Sequence, residues 1–297
     1  MKEFQKIIKY VAVAFGLYLA ISIIGGIIAI IVSIFTGFYG ISYLADSLNG
    51  AINSDDSSIE RIDENQDVEE FSKMKLDISA SNLTIKVEGN SYRVETYQIP
   101  KNTKIESKDG ILEIKSNKKL NKNDSKSGII IYLPEDVELE EADIQVGAGI
   151  MDITGLIAQN VEFSFGAGNV NMQNISVKNN AKIECGAGQT IIKDSELANA
   201  DIEAGVGKLV YSGDLTGNTQ ISCGVGGVEL ELTGDAEKYA IHTEKGIGDI
   251  KINDSSVAND STIGRGENKI DIEGGVGSVD IKTNRTEPVP TVPGTTL

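Results

Sequence analysis

The stretch Val161-Glu162-Phe163-Ser164-Phe165-Gly166-Ala167-Gly168-Asn169-Val170-Asn171-Met172 decides the fold, because its parity changes at the glycines. Before them Val161, Phe163 and Phe165 alternate with polar residues, the pattern of a strand with one buried face. After them Val170 and Met172 hold the apolar positions, one residue out of step. A one-residue slip turns every side chain to the opposite face. A straight strand with a single core is therefore excluded, and the glycines mark a bend or bulge.

The same step recurs along the chain at Gly147-Ala148-Gly149, Gly166-Ala167-Gly168, Gly186-Ala187-Gly188, Gly205-Val206-Gly207, Gly224-Val225-Gly226, Gly246-Ile247-Gly248 and Gly275-Val276-Gly277. The spacing is about 19 to 22 residues until a longer last gap, a period that belongs to stacked repeats. Apolar residues alternate ahead of each step, as in Ala142, Ile144, Val146 and again in Ala181, Ile183, Cys185. These fourteen glycines are expected to be structural corners. The expected architecture is an all-β, single-stranded β-solenoid of Gly-x-Gly coils over residues 142–282. One coil has too little apolar surface to fold alone, and neighbours stacked about 4.8 Å apart supply the rest.

Composition agrees with a turn-rich β protein: 297 residues hold 32 glycines, no tryptophan and only 5% aromatics. A net charge of -17 argues against nucleic acid, whose phosphates would be repelled. Cys185 and Cys223 occupy equivalent positions two coils apart, with Ala204 between them. That separates them by roughly 9 to 10 Å, beyond the reach of a disulfide. They are expected to be free, buried thiols.

From Tyr10 to Ala45 no charged residue occurs, and Lys2, Lys6 and Lys9 precede this run. About 20 apolar residues cross a bilayer, so residues 1–45 read as a cytoplasmic tip and one transmembrane helix; a tight hairpin broken at Gly25-Gly26 is the alternative. Lysines on the amino-terminal flank and acidic residues beyond place the rest of the chain outside. The membrane is thus one expected partner. Residues 46–73 read as an acidic stalk, and residues 283–297, with Pro288, Pro290 and Pro293, as an extended tail.

Residues 74–141 read as an amino-terminal cap with degenerate coils. Ile78-Ser79-Ala80-Ser81-Asn82-Leu83 repeats the corner pattern with serines in place of glycines. Further strands are expected at Ile111-Leu112-Glu113-Ile114 and Ile129-Ile130-Ile131-Tyr132-Leu133, the latter ended by Pro134. A serine bend, an Ile-Ile-Ile-Tyr-Leu-Pro strand and Gly-Ala-Gly coils after a membrane anchor resemble the bacterial adhesin-like family of β-strand-repeat proteins, domain of unknown function 4097. The resemblance covers roughly Met74 to Lys282. It implies an extracytoplasmic β-solenoid and brings no catalytic residues with it.

Toward the carboxyl end the repeat decays. Lys245 stands where Val146, Phe165, Cys185, Ala204 and Cys223 stand in earlier coils, and Gly275 arrives late. The extra residues from Ser255 to Asn268, including Gly264-Arg265-Gly266, are expected to bulge out as a loop. Lys245 and Arg265 are the candidate interaction residues there. His242 is the one histidine, expected on an outward face beside Glu244, too little by itself for a metal centre or a hydrolytic triad.

No cofactor is expected. The glycine steps lack the following helix that a phosphate site needs, and the residue after each second glycine does not repeat as a calcium ligand. Glu184 and Glu203 are expected to stack in adjacent coils, where weak cation capture is conceivable. The chain reads as a non-enzymatic cell-envelope protein binding a surface or envelope protein or glycan. The alternative is an accessory regulator in envelope-stress signalling; a polysaccharide-acting β-helix enzyme is the third reading.

Overall fold

Strands in this chain are set by alternation, and their lengths by where glycine or Asn/Asp turns interrupt it. A computed structural model describes residues 60–116 and 127–284, with the backbone alone at Lys245. The amino-terminal strands are β1 (Arg61–Asp67), β2 (Lys73–Ile78), β3 (Asn82–Val87), β4 (Arg93–Pro100), β5 (Lys104–Lys108), β6 (Ile111–Ser116) and β7 (Gly128–Leu133). Long bent strands follow: β8 (Leu139–Thr154), β9 (Ile157–Gln173), β10 (Ser176–Ala198), β11 (Ala200–Thr216) and β12 (Asn218–Leu232). The carboxyl-terminal set is β13 (Tyr239–Ile247), β14 (Ile250–Ile252), β15 (Ser255–Ser256), β16 (Ser261–Gly264) and β17 (Asn268–Thr283). One 3-10 turn, Ala236–Lys238, is the sole helical element among the described residues.

All seventeen strands share one hydrogen-bonded sheet. β8 through β12 pair in parallel with corners in register, so Ala148, Ala167, Ala187, Val206 and Val225 lie one above another. The parity slip is visible in burial. Ala142, Ile144 and Val146 are buried in the first leg of β8, and Met151 and Ile153 in the second. Each coil thus folds both apolar faces onto one continuous core.

Backbone proximity explains the glycines. A Cβ at Gly166 would fall closer than 3.0 Å to the Gly147 carbonyl oxygen in the neighbouring coil. Gly188 has φ +136, where L side chains are strained, and a Cβ there would strike the Gly168 backbone. Every corner glycine Cβ would point the same way, toward the amino-terminal side of the stack. Gly147 and Gly149 meet Ser79 and Ser81, the corner between β2 and β3. At this corner the side chains make hydrogen bonds: the Ser79 hydroxyl donates to the Ser116 carbonyl oxygen at 2.8 Å and the Ser81 hydroxyl to the Asn82 carbonyl oxygen at 3.3 Å.

Chain order and stack order differ at both ends. The stack reads β6/β7, β2/β3, β8, β9, β10, β11, β12, β17, β13/β14. At the carboxyl end the chain leaves β12, skips one slot to make β13 and β14, and returns to fill the gap with β17. Gly275 stacks on Gly224, and Gly246 on Gly275. The late corner is therefore a displaced coil. Residues 255–268, expected as a bulging loop, include β15 and β16, which pair antiparallel with β14 and β13. Their antiparallel pairing covers an edge that would otherwise expose a row of backbone donors and acceptors.

Two further expectations are corrected here. Residues Arg61–Asp67, assigned to a stalk, form β1 antiparallel to β4, and Phe71 is buried. Cys185 is only half-buried, because it lines a groove described below, whereas Cys223 is buried. Both are free thiols, raised above 9.0 by burial, with a hydrogen bond to Thr190 opposing that rise at Cys185. The expected transmembrane helix at 1–45, the rest of the stalk before residue 60 and the tail from 285 lie outside the described residues. No helix among the described residues is long and apolar enough to cross a membrane.

Candidate functional site

Because the coils share one register, any outward position becomes a row. Beside the corners, the residue two before each corner's first glycine, or before Ser79, forms such a row: Asp77, Gln145, Ser164, Glu184, Glu203 and Ser222. These polar side chains wall a groove of about 730 Å³ that follows the stack axis from β2 to β12. Its floor is the first glycines with Val146, Phe165, Cys185 and Ala204. Six coils at about 4.8 Å each give it a length of roughly 24 Å. The absence of side chains at the corners leaves space for it.

Electrostatics along the wall are partly satisfied. Glu184 and Glu203 are register neighbours, as expected for adjacent coils. Glu184, however, is held by Lys182 at 2.8 Å and accepts from the Ser164 hydroxyl at 2.9 Å. The hydrogen bond from Lys182, then that from Ser164, keeps its carboxyl below the usual range. Lys182 also reaches Glu162 at 3.3 Å. Glu184 is thus already paired within the protein.

A second row runs along the corner tips. In stack order it reads Ala148, Ala167, Ala187, Val206, Val225, Val276, Ile247. Size rises along it, and the last three are exposed at 44%, 47% and 74%. The corner tips become an apolar ridge at the carboxyl end. Sequence reading did not single out this row, since Val276 takes its place before Ile247 only after the coils are reordered.

The two candidate interaction residues are separate. Lys245 lies in the corner end of β13, its backbone paired with Gly274. Arg265 is exposed and follows Gly264, which pairs with Ala240 at the other end of β13. Five residues at about 3.3 Å each separate those ends by roughly 16 Å. The structure does not combine them into one site.

What the structure does bring together is His242 with Glu244 and Asp260. The β13–β16 hairpin sets His242 directly opposite Thr262, with Nδ1 3.1 Å from the Thr262 hydroxyl. Nε2 lies 3.5 Å from Glu244 and 3.8 Å from Asp260. Glu244 is a neighbour of His242 along the chain; Asp260 enters only through the hairpin.

The Toastrack DUF4097 family profile matches residues 71–272, more than half of the chain, and the protein belongs to that family. Among solved structures it is similar to a "putative cell adhesion protein" from Clostridium sporogenes, at 18% identity, 76% of this chain, all of that chain and a TM-score of 0.37. A "putative adhesin" from Bacteroides fragilis matches at 18% identity over 75% of this chain and 97% of its own, with a TM-score of 0.34. A "putative lipid binding protein" from Parabacteroides distasonis matches at 15% identity over 75% and 96%, with a TM-score of 0.32. Among curated proteins nothing matches the chain.

Proposed function

We propose that the protein is a non-enzymatic β-solenoid held outside the bacterial cell membrane by a single amino-terminal helix, where it binds an envelope or surface protein or glycan. The observation that carries this reading is the groove: a polar wall and glycine floor repeated over six coils. A row of equivalent sites at about 4.8 Å suits an extended ligand better than a compact one. The charge-free run from Tyr10 to Ala45, with lysines before it and acidic residues after it, supports the anchor and its orientation.

Two measurements test this. Protease shaving of intact cells should release the strand-rich part of the chain; full protection would overturn the location. Full-length protein carrying Gln145→Trp and Ser222→Trp should lose capture of isolated envelope material while keeping its melting temperature. Capture unchanged by these bulky groups would remove the groove from the reading.

A further inference from the structure

We propose that His242, Glu244 and Asp260 form a binding site for a divalent transition-metal ion of the zinc class. One imidazole nitrogen and two carboxylates are a donor set of that kind, to which water can complete the coordination. All three offer ligand atoms within 4.8 Å of one another. With Nε2 at 3.5 and 3.8 Å from the two carboxylates, small rotations of exposed side chains close the triangle around an ion.

Three independent features point the same way. The first is the partner of the other ring nitrogen. Thr262 stands 3.1 Å from Nδ1, so an Nδ1–H donating to its hydroxyl leaves the Nε2 lone pair facing the carboxylates. Metal-bound histidines are oriented by such a second contact.

The second is the hairpin register. The ladder ends at Thr243 and Ser261, and just beyond it the Glu244 and Asp260 carboxylates come within 4.8 Å of each other as like charges. Such an opposition is destabilising between strands, and a bound cation reverses its sign. Asp260 has φ 54, a left-handed conformation, at the turn that brings its carboxylate to this face.

The third is the neighbouring strand. β17 places Asp271 beside His242 and Glu273 beside Glu244 in parallel register. The side chains share one face, so two further exposed carboxylates add negative potential without taking the ligand positions. The ion would pin β16, the outermost strand of the carboxyl-terminal end, onto β13.

The chain has a single histidine, which makes the test direct. Untagged full-length protein in detergent is titrated with zinc alone and followed by calorimetry and by imidazole nitrogen NMR. Saturable one-to-one binding is expected, with the Nε2 resonance moving and Nδ1 remaining protonated. His242→Gln should abolish the site and Asp260→Asn should weaken it about tenfold or more, while Thr262→Val should weaken it by about tenfold without altering stoichiometry. About a hundredfold excess of calcium or magnesium should not displace the zinc. Binding unchanged by His242→Gln, absence of a one-to-one site, or displacement by calcium would each overturn the proposal. None of these outcomes depends on the groove or on cellular location.

Discussion

At the amino-terminal end of the stack the corner is Ser79-Ala80-Ser81; at the carboxyl-terminal end it is Gly246-Ile247-Gly248. Both belong to coils placed out of chain order, yet only one needs glycine. The reason is directional. Each corner glycine Cβ would point toward the amino-terminal side of the stack, so Gly248 faces the backbone of Gly277 and Gly147 and Gly149 face Ser79 and Ser81, whose own hydroxyls bond to the Ser116 and Asn82 carbonyl oxygens. One end of the stack thus carries a corner with side chains and the other a corner limited to glycine by its neighbour's backbone.

The ends also differ in what fastens them. At the amino-terminal end Glu95 accepts hydrogen bonds from Tyr97 at 3.0 Å, Tyr132 at 3.1 Å and Asn65 at 3.2 Å, and pairs with Arg93 at 3.3 Å. Arg93 in turn stacks 4.0 Å over the Tyr132 ring. Three strands, β1, β4 and β7, converge on that carboxylate. At the other end the skip from β12 to β13 is fastened by the buried Tyr239, whose hydroxyl donates to Asp214 of β11. Burial first, then that hydrogen bond, raises the Tyr239 phenol above its usual range. Tyr211 reinforces the strap, its hydroxyl shared between the carbonyl oxygens of Ser195 and Asp214.

The steric comparison breaks most directly at the corners. Gly248→Ala and Gly277→Ala should each cost about 3 kcal/mol or more, because a strained φ and a backbone clash coincide. Ser81→Ala should cost about 1 kcal/mol, the worth of one hydrogen bond. Denaturant midpoints with unchanged slopes would check both, and equal losses at the two ends would refute the directional account.

Next in size is Tyr239→Phe, expected to cost about 2 kcal/mol by leaving Asp214 without its donor. Glu95→Gln keeps the amino-terminal geometry but removes the charge, for about 1 kcal/mol. Hydrogen exchange should place the first loss in β13 and β17 and the second in β1, β4 and β7. Smallest is an acid effect at the amino-terminal end. Hydrogen bonding from Lys104 lowers the Glu106 carboxyl below its usual 4.5. Its contribution is therefore present above pH 4.5 and is lost as pH falls through the lowered value. Exchange in β5 and β6 should rise there, and Glu106→Gln should flatten that rise.

The corners were legible in the sequence because a strand has period two, so a slip at Phe165-Gly166-Ala167-Gly168-Asn169-Val170 can be counted. The serine corner was legible as a match, but its hydrogen bond to Ser116 was not, since that depends on β6 stacking beside β2. Stack order could not be read from the repeats themselves. Cys223 is followed by the same Gly-x-Gly whether its neighbour is Gly274 or Lys245, and local pattern does not choose between them. The His242 cluster was hidden for a related reason. Asp260 lies 18 residues from His242 and reaches it only if residues 255–264 turn back as β15 and β16, where the sequence reading placed a loop. Tyr239 and Asp214 were hidden likewise, because their contact follows from the skipped slot.

That skipped slot also sets an order of assembly. β11 and β12 join Ala204 to Cys223 across 19 residues, whereas β12 and β17 join Cys223 to Gly274 across 51. β17 is made after both strands it separates, so β12 and β13 cannot be bridged while the chain is still short. Until it arrives, each presents an edge to solvent. Nucleation is therefore expected in the local pairs from β8 to β12, with closure of the carboxyl end following as a long-range event whose entropy cost falls on the final sixteen-residue strand.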